Sequence, residues 1–223
     1  TVLKDLDKYS LKITVVLEKE DIDTINAIKN FNCKILYQEG FGYGDALIQG
    51  INSVETKYFC IFNADGSFLS KELSDMYKYL NDLNFDFVFG SRYMKHGYSE
   101  DDTFITLIGN RIFSFLGNVL FSLELSDILY TFVMGNTQKA RDLNIKEKDF
   151  AFCVELPIKA KKAGYKLISL PSYEKPRIAG RKKVNAFKDG LMILVSMIKF
   201  LILKWFFETE KKHIAQQINS NTQ

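Results

Sequence analysis

Strand-like and helix-like patterns alternate along the first 90 residues, and this rhythm is what most narrows the possible folds. Apolar, β-branched or aromatic runs at Ile13–Leu17, Lys34–Tyr37, Lys57–Phe62 and Phe85–Phe89 are separated by helical patterns at Asp23–Phe31, Asp45–Asn52 and Lys71–Leu83. Such spacing predicts βαβ units, whose right-handed crossovers bring the loops that follow the strands to one sheet edge. The expected class is α/β: an open, mostly parallel sheet flanked by helices. Later elements are less regular, with helices over Phe104–Leu123 and Ala151–Ala163, an irregular stretch over Ser126–Gly135 and a last strand over Lys166–Leu170. Val2–Tyr9 reads as the end of a helix feeding the first of these strands. A sheet lacking its opening strand is therefore expected, with Thr1 lying inside a longer natural chain.

Composition sets outer bounds. At 223 residues with 47% hydrophobic and 14% aromatic content, the chain can bury a core the size of one large domain. The 30 basic and 27 acidic residues nearly balance, so nucleic acid is not an expected partner. Cys33, Cys60 and Cys153 are odd in number and far apart, which argues for reduced thiols rather than a disulfide framework. With only His96 and His213, a metal would have to rely on oxygen ligands. No charged and apolar signal segment opens the chain, so a cytoplasmic location is expected.

Chemistry is expected beyond the carboxyl ends of the strands. The third strand runs into Asn63-Ala64-Asp65-Gly66, two oxygen-bearing side chains one residue apart. In an extended chain they point to the same side, so one can meet a divalent cation and the other a ribose or a bound water. The same four residues also spell an Asx turn, and spacing leaves both readings open. Gly40, Gly42 and Gly44 miss the third glycine of a dinucleotide fingerprint and read instead as a turn that lets backbone approach a ligand. At the end of the fourth strand Arg92 offers a fixed cation or pairs with Asp86 or Asp65. Asp127 reads as a helix cap or a base, and Glu155 as a second acid among apolar neighbours. Arg177, Arg181, Lys182 and Lys183 surround Gly180 in a basic loop that suits a diphosphate, or a solvated loop touching acidic lipid.

From Ala186 to Phe207 the chain has almost no polar face, yet Lys188, Asp189, Lys199 and Lys204 interrupt it. The uninterrupted run falls short of the roughly 20 residues a spanning helix needs. A helix lying in a membrane interface and a helix packed on the domain or on another subunit both fit.

Five segments, in this order, resemble the family 2 glycosyltransferases of GT-A fold, in particular the dolichol-phosphate mannose synthase and polyprenyl-phosphate glycosyltransferase branch. They are G-Y-G-D-A-L-I-Q-G-I, N-A-D-G-S, F-G-S-R-Y, S-D-I-L-Y-T-F-V-M-G, and F-C-V-E-L-P followed downstream by R-I-A-G-R-K-K-V. The resemblance covers about residues 12 to 200 and implies a Rossmann-like GT-A domain over 1–185, an apolar helix over 186–212 and a flexible tail over 213–223. It further implies that Asp65 holds Mg²⁺ or Mn²⁺ against a nucleotide diphosphate. Asn63, Gly42, Gly44, Arg92 and Glu18 would then belong to the nucleotide-sugar pocket. Asp127 would be a general base or an acceptor-orienting acid, Glu155 would line the acceptor or sugar pocket, and Arg177, Arg181 and Lys183 would grip phosphate. Four features depart from the family pattern: Asn63 replaces the usual first acid, Lys182 replaces the usual serine of the basic loop, L-E-K-E with Glu18 replaces D-D-G-S, and the opening strand that holds the nucleobase would precede Thr1.

The implied reaction is inverting displacement of a nucleoside diphosphate from a UDP- or GDP-sugar. The implied acceptor is a polyprenyl phosphate or another glycan acceptor, met at the cytoplasmic face of the membrane. The departures motivate an alternative, a noncatalytic membrane-associated partner that keeps the fold. Homo-oligomerisation is compatible with either.

Overall fold

The computed structural model describes residues 2–178 and 187–203. In chain order the elements are α1 (Val2–Leu6), β1 (Ile13–Leu17), α2 (Ile22–Ile28), β2 (Cys33–Tyr37), α3 (Tyr43–Ser53) and β3 (Tyr58–Cys60). A 3₁₀ turn at Ser70–Glu72 leads into α4 (Leu73–Asn81), followed by β4 (Phe87–Ser91), β5 (Tyr98–Ser99) and α5 (Phe104–Phe121). Then come β6 (Val133–Asn136), α6 (Thr137–Asp142), α7 (Phe152–Lys162), β7 (Leu167–Pro171), β8 (Tyr173–Glu174) and a helix over 187–203, here α8. The architecture is the expected mixed α/β one.

β4 is the centre of the main sheet, whose order is β3-β6-β4-β7. Every residue of Phe87–Ser91 is buried, which explains an apolar run without alternation. The pleat still sorts its side chains. Phe87 and Phe89 enter a core shared with α5, α7 and α8, whereas Val88 enters a second core with Leu6, Phe68, Leu73 and Met76. Helices thus cover both faces, and the loops after β3 and β4 meet at one edge.

Two expectations need correction. The stretch Ser126–Gly135, read as irregular, ends in β6, which runs antiparallel between β3 and β4. Its four residues carry no legible period, and Gly135 is required by its neighbours: a Cβ there would lie 2.4 Å from the Phe87 ring and 3.0 Å from that of Phe59. The sheet is also not continuous, since β1 and β2 form a separate parallel pair. Leu17 C=O accepts from Gln38 N at 2.9 Å, so the backbones of Thr14 and Val16 turn away from β2. Ile61 N donates to Val133 O at 2.8 Å, so those of Tyr58 and Cys60 turn away from β6. All residues of β1 and β3 line one cavity, which places it along their edges rather than on a face.

A small ribbon pairs Tyr98 with Tyr173 and Ser99 with Glu174. Half-buried Glu72 fastens its base, accepting from Ser172 Oγ at 2.6 Å and Tyr173 N at 3.0 Å. Desolvation pushes the Glu72 carboxyl up to about 7 from its ordinary 4.5. The folded state therefore keeps a proton that the unfolded chain has released, and stability on this account falls as pH rises from 4.5 to about 7. Urea titrations across that window should show the slope in the native chain and not in Glu72→Gln; parallel curves would contradict it. For Gly135→Ala, overpacking against Phe87 should cost about 1–3 kcal/mol, read as a lower urea midpoint at unchanged m.

Candidate active site

The end of β3 delivers Asn63 and Asp65 to the cleft, and both readings of this motif coexist. Asp65 Oδ1 closes an Asx turn, accepting from Ser67 N at 3.0 Å and Ser67 Oγ at 2.7 Å. Gly66 takes the positive φ of 84° that the turn needs. The other oxygen, Oδ2, faces the cleft and lies 3.8 Å from Arg177 Nη1. Asn63 Oδ1 accepts from the Tyr43 hydroxyl at 2.9 Å, and Tyr43 is held in turn by Thr131 Oγ1 at 2.8 Å and by stacking on Phe150.

The end of β4 delivers Arg92, and its partners are neither Asp86 nor Asp65. Asp86 is engaged instead by Lys139 and by Lys166 N. Arg92 Nε and Nη2 form a fork with Asp127 at 2.7 and 3.1 Å, and the Arg92 backbone N–H adds a third bond at 3.2 Å. Nη1 meets Glu174 at 3.2 Å and Asp102 at 3.6 Å, while the guanidinium lies 4.6 Å above the Tyr130 ring. Desolvation opposes the Arg92 charge, but Asp127 and Glu174 outweigh it and hold the guanidinium protonated. Gly90 makes the approach possible, because a Cβ there would press on Tyr130 at 3.1 Å.

This geometry revises both expected catalytic acids. Asp127 is 0% exposed, does not line the cleft and spends both oxygens on Arg92. Its contacts are those of a residue that positions Arg92. Glu155, 1% exposed, accepts from Lys146 N at 2.8 Å and Glu147 N at 2.6 Å and pairs with Lys159 at 2.6 Å. It does not line the cleft but pins the 146–149 loop. That loop explains the glycines: a Cβ on Gly42 or Gly44 would strike the carbonyls of Lys148 or Glu147 at 2.2 and 2.5 Å. The close approach is to the protein's own backbone, although Gly42 also lines the cleft.

A cleft of about 1820 Å³ joins the remaining residues, running from the open edges of β1 and β3 past Glu18, Asn63, Asp65, Arg92 and Arg177 to a slot between α5 and α8. Glu18 is exposed at the end of β1. Arg181 and Lys183 lie outside the described residues. Asp101, Asp102 and Glu174 were missed by the sequence reading because the β5–β8 ribbon that gathers them is two residues wide and has no sequence signature. Among the described residues no group of three His, Cys, Asp or Glu side chains could hold a metal by itself. Asp65 Oδ2 suits one ligand position of a hard cation that completes its shell with water and substrate oxygens.

An α/β sheet that brings Asp65, Arg92 and Arg177 to one edge, beside a long cleft, suits the binding of an anionic ligand, and comparison with known proteins gives the class, a glycosyltransferase. The sequence model of glycosyl transferase family 2 matches residues 3–143, and the chain belongs to that family. Uncharacterised glycosyltransferases of Mycobacterium bovis and Mycobacterium tuberculosis are each 24% identical to it over 173 residues, 78% of either chain. Among solved structures, mannosyl-3-phosphoglycerate synthase from Rubrobacter xylanophilus superposes with a TM-score of 0.66 at 12% identity, covering 94% of this chain and 70% of its own. Glucosyl-3-phosphoglycerate synthase from Mycobacterium tuberculosis, in complex with Mn²⁺, UDP and glucosyl-3-phosphoglycerate, gives 0.65 at 9% identity over 90% and 74%. These likenesses establish the fold.

Removing the Asp127 charge leaves Arg92 buried with Glu174 and Asp102 alone, so Asp127→Asn should cost about 3 kcal/mol of stability, the lower end for a broken buried pair. Urea unfolding checks this. Unchanged stability, together with loss of transfer to hydroxyl acceptors only, would restore the base reading.

Proposed function

We propose that this family 2 enzyme transfers a sugar from a UDP- or GDP-sugar to a polyprenyl phosphate at a membrane surface, by inverting displacement. The observation that carries the reading is the juxtaposition, in one cleft, of Asp65 Oδ2 and Arg177 with an apolar slot. That slot lies between Ile105, Gly109 and Phe113 of α5 and Phe187, Gly190 and Ile193 of α8, with Thr106, Asn110 and Asp189 also on its walls. The slot opens beside two apolar faces. α5 leaves Phe104, Ile112, Phe115 and Val119 between 52% and 76% exposed, and α8 leaves Phe187 83% and Leu191 63% exposed. α5 is also long and apolar enough to cross a membrane, but it buries Ser114, Gly117 and Phe121 within the domain, which favours lying along the surface.

In this reading Asp65 binds Mg²⁺ or Mn²⁺, and the cation when bound supplies charge neutralisation to the departing diphosphate. Asn63, held by Tyr43, borders the same pocket, and Glu18 stands at its far wall. Arg177 offers a guanidinium to the diphosphate, and Arg181 and Lys183 are its proposed companions in the basic loop. Arg92, fixed by Asp127, shapes the floor where sugar and acceptor meet. A phosphate acceptor is already an anion and needs no base, which accords with Asp127 being out of reach.

The test is a panel of radiolabelled UDP- and GDP-sugars offered to polyprenyl phosphate in vesicles and to 3-phosphoglycerate in solution, each with Mg²⁺ or Mn²⁺. Lipid-linked product is expected, and Asp65→Asn should lower kcat/KM by about 10²–10³-fold. Product on the soluble acceptor alone would overturn the lipid reading, and silence with every donor would favour a noncatalytic role.

A further inference from the structure

The segment that carries Arg177 is strapped to the Asp65 loop by its backbone. Lys175 N donates to Ser67 O at 2.9 Å and Ile178 N donates to Asp65 O at 2.8 Å. The Ile178 side chain fills the space over Gly66, where a Cβ would meet it at 2.5 Å. With the backbone fixed, only the Arg177 side chain decides how close its charge comes to Asp65. A second carboxylate holds that side chain. Asp101 takes Arg177 Nη2 at 2.9 Å and Nε at 3.5 Å, along one edge of the guanidinium, and leaves Nη1 turned toward Asp65 at 3.8 Å. Asp101 is itself placed by the turn at the end of the ribbon: its N–H donates to Ser99 Oγ at 3.2 Å, and Ser99 Oγ donates to Glu174 at 2.5 Å.

The distances matter because a charge-assisted Arg–carboxylate fork closes to about 2.8 Å when nothing restrains it. At 3.8 Å the contact with Asp65 is incomplete, whereas the contact with Asp101 is made. We propose that Asp101 is a positioning residue that holds Arg177 off Asp65, so that Asp65 can take a cation while Arg177 remains in reach of the phosphates bound to it. The inference rests on the reading of Asp65 and Arg177 as the donor-phosphate site. Without Asp101, Arg177 closes on Asp65 as a fork and competes with the cation for the carboxylate.

Calorimetric titration of preformed Mn²⁺–pyrophosphate into the full chain tests this without needing the sugar, the base or the acceptor. Asp101→Asn should bind about tenfold more weakly than the native chain, and Asp101→Glu should recover most of the loss. In an Arg177→Ala background the Asp101→Asn change should move the dissociation constant by less than about twofold, because the competitor is gone. Asp101→Ser, too short to reach Arg177, gives the same comparison with a second side chain, and thermal unfolding of each variant confirms folding. Native affinity in both Asp101→Asn and Asp101→Ser, or equal weakening with and without Arg177, would overturn the inference while leaving the donor site standing. Failure of the native chain to bind, or unchanged binding by Asp65→Asn, would instead remove the donor-site reading and the inference with it.

Discussion

Arg92 is 8% exposed, and around it Asp127, Glu174, Asp102 and the Tyr130 ring approach from three separate parts of the chain. A guanidinium in that position would be costly if unpaired, and so would the Asp127 carboxylate. Each makes the other tolerable. The consequence is organisational: the end of β4, the segment after α5, the turn before α5 and the β8 strand cannot move independently. Fixing Glu174 and Asp102 fixes the ribbon, and the ribbon carries Asp101 and the root of Arg177. The floor of the cleft and the Arg177 guanidinium beside Asp65 are thus parts of one electrostatic framework.

A second framework holds the opposite wall. Glu155 collects two backbone N–H groups and Lys159, and the loop it pins presses on Gly42 and Gly44 at the start of α3. Asp45, 6% exposed, occupies the helix terminus with bonds from Gln38 and Gln49 and an ion pair to Lys148. A helix start that could have received an external anion is thereby filled from within. In the proposed function, phosphate recognition then falls to Asp65 and Arg177.

Much of this was legible in the residues. β1, β2 and β4 announced themselves as apolar runs, β4 because it is buried entirely, and α3, α4 and α5 by their helical period, and the motif ends at Asp65 and Arg92 fall where the sheet topology puts them. β6 was not legible, since four residues with a glycine carry no period and owe their strand to the partners on either side. The acids were legible as buried but not in role. A lone acid in an apolar run looks the same whether it faces a substrate or an arginine, and only tertiary placement shows that Asp127 faces Arg92 and Glu155 a loop. Asp101 was invisible for the same reason: its partner lies 76 residues away.

The central claim is that Asp65 and Arg177 together receive the metal-bound diphosphate of the donor. Anomalous diffraction at the manganese edge, from crystals grown with Mn²⁺ and UDP, tests it most directly. The account predicts one manganese peak about 2.2 Å from Asp65 Oδ2, with the diphosphate bridging it to Arg177. A manganese peak remote from Asp65, or a diphosphate bound at the start of α3 and out of contact with Arg177, would contradict it.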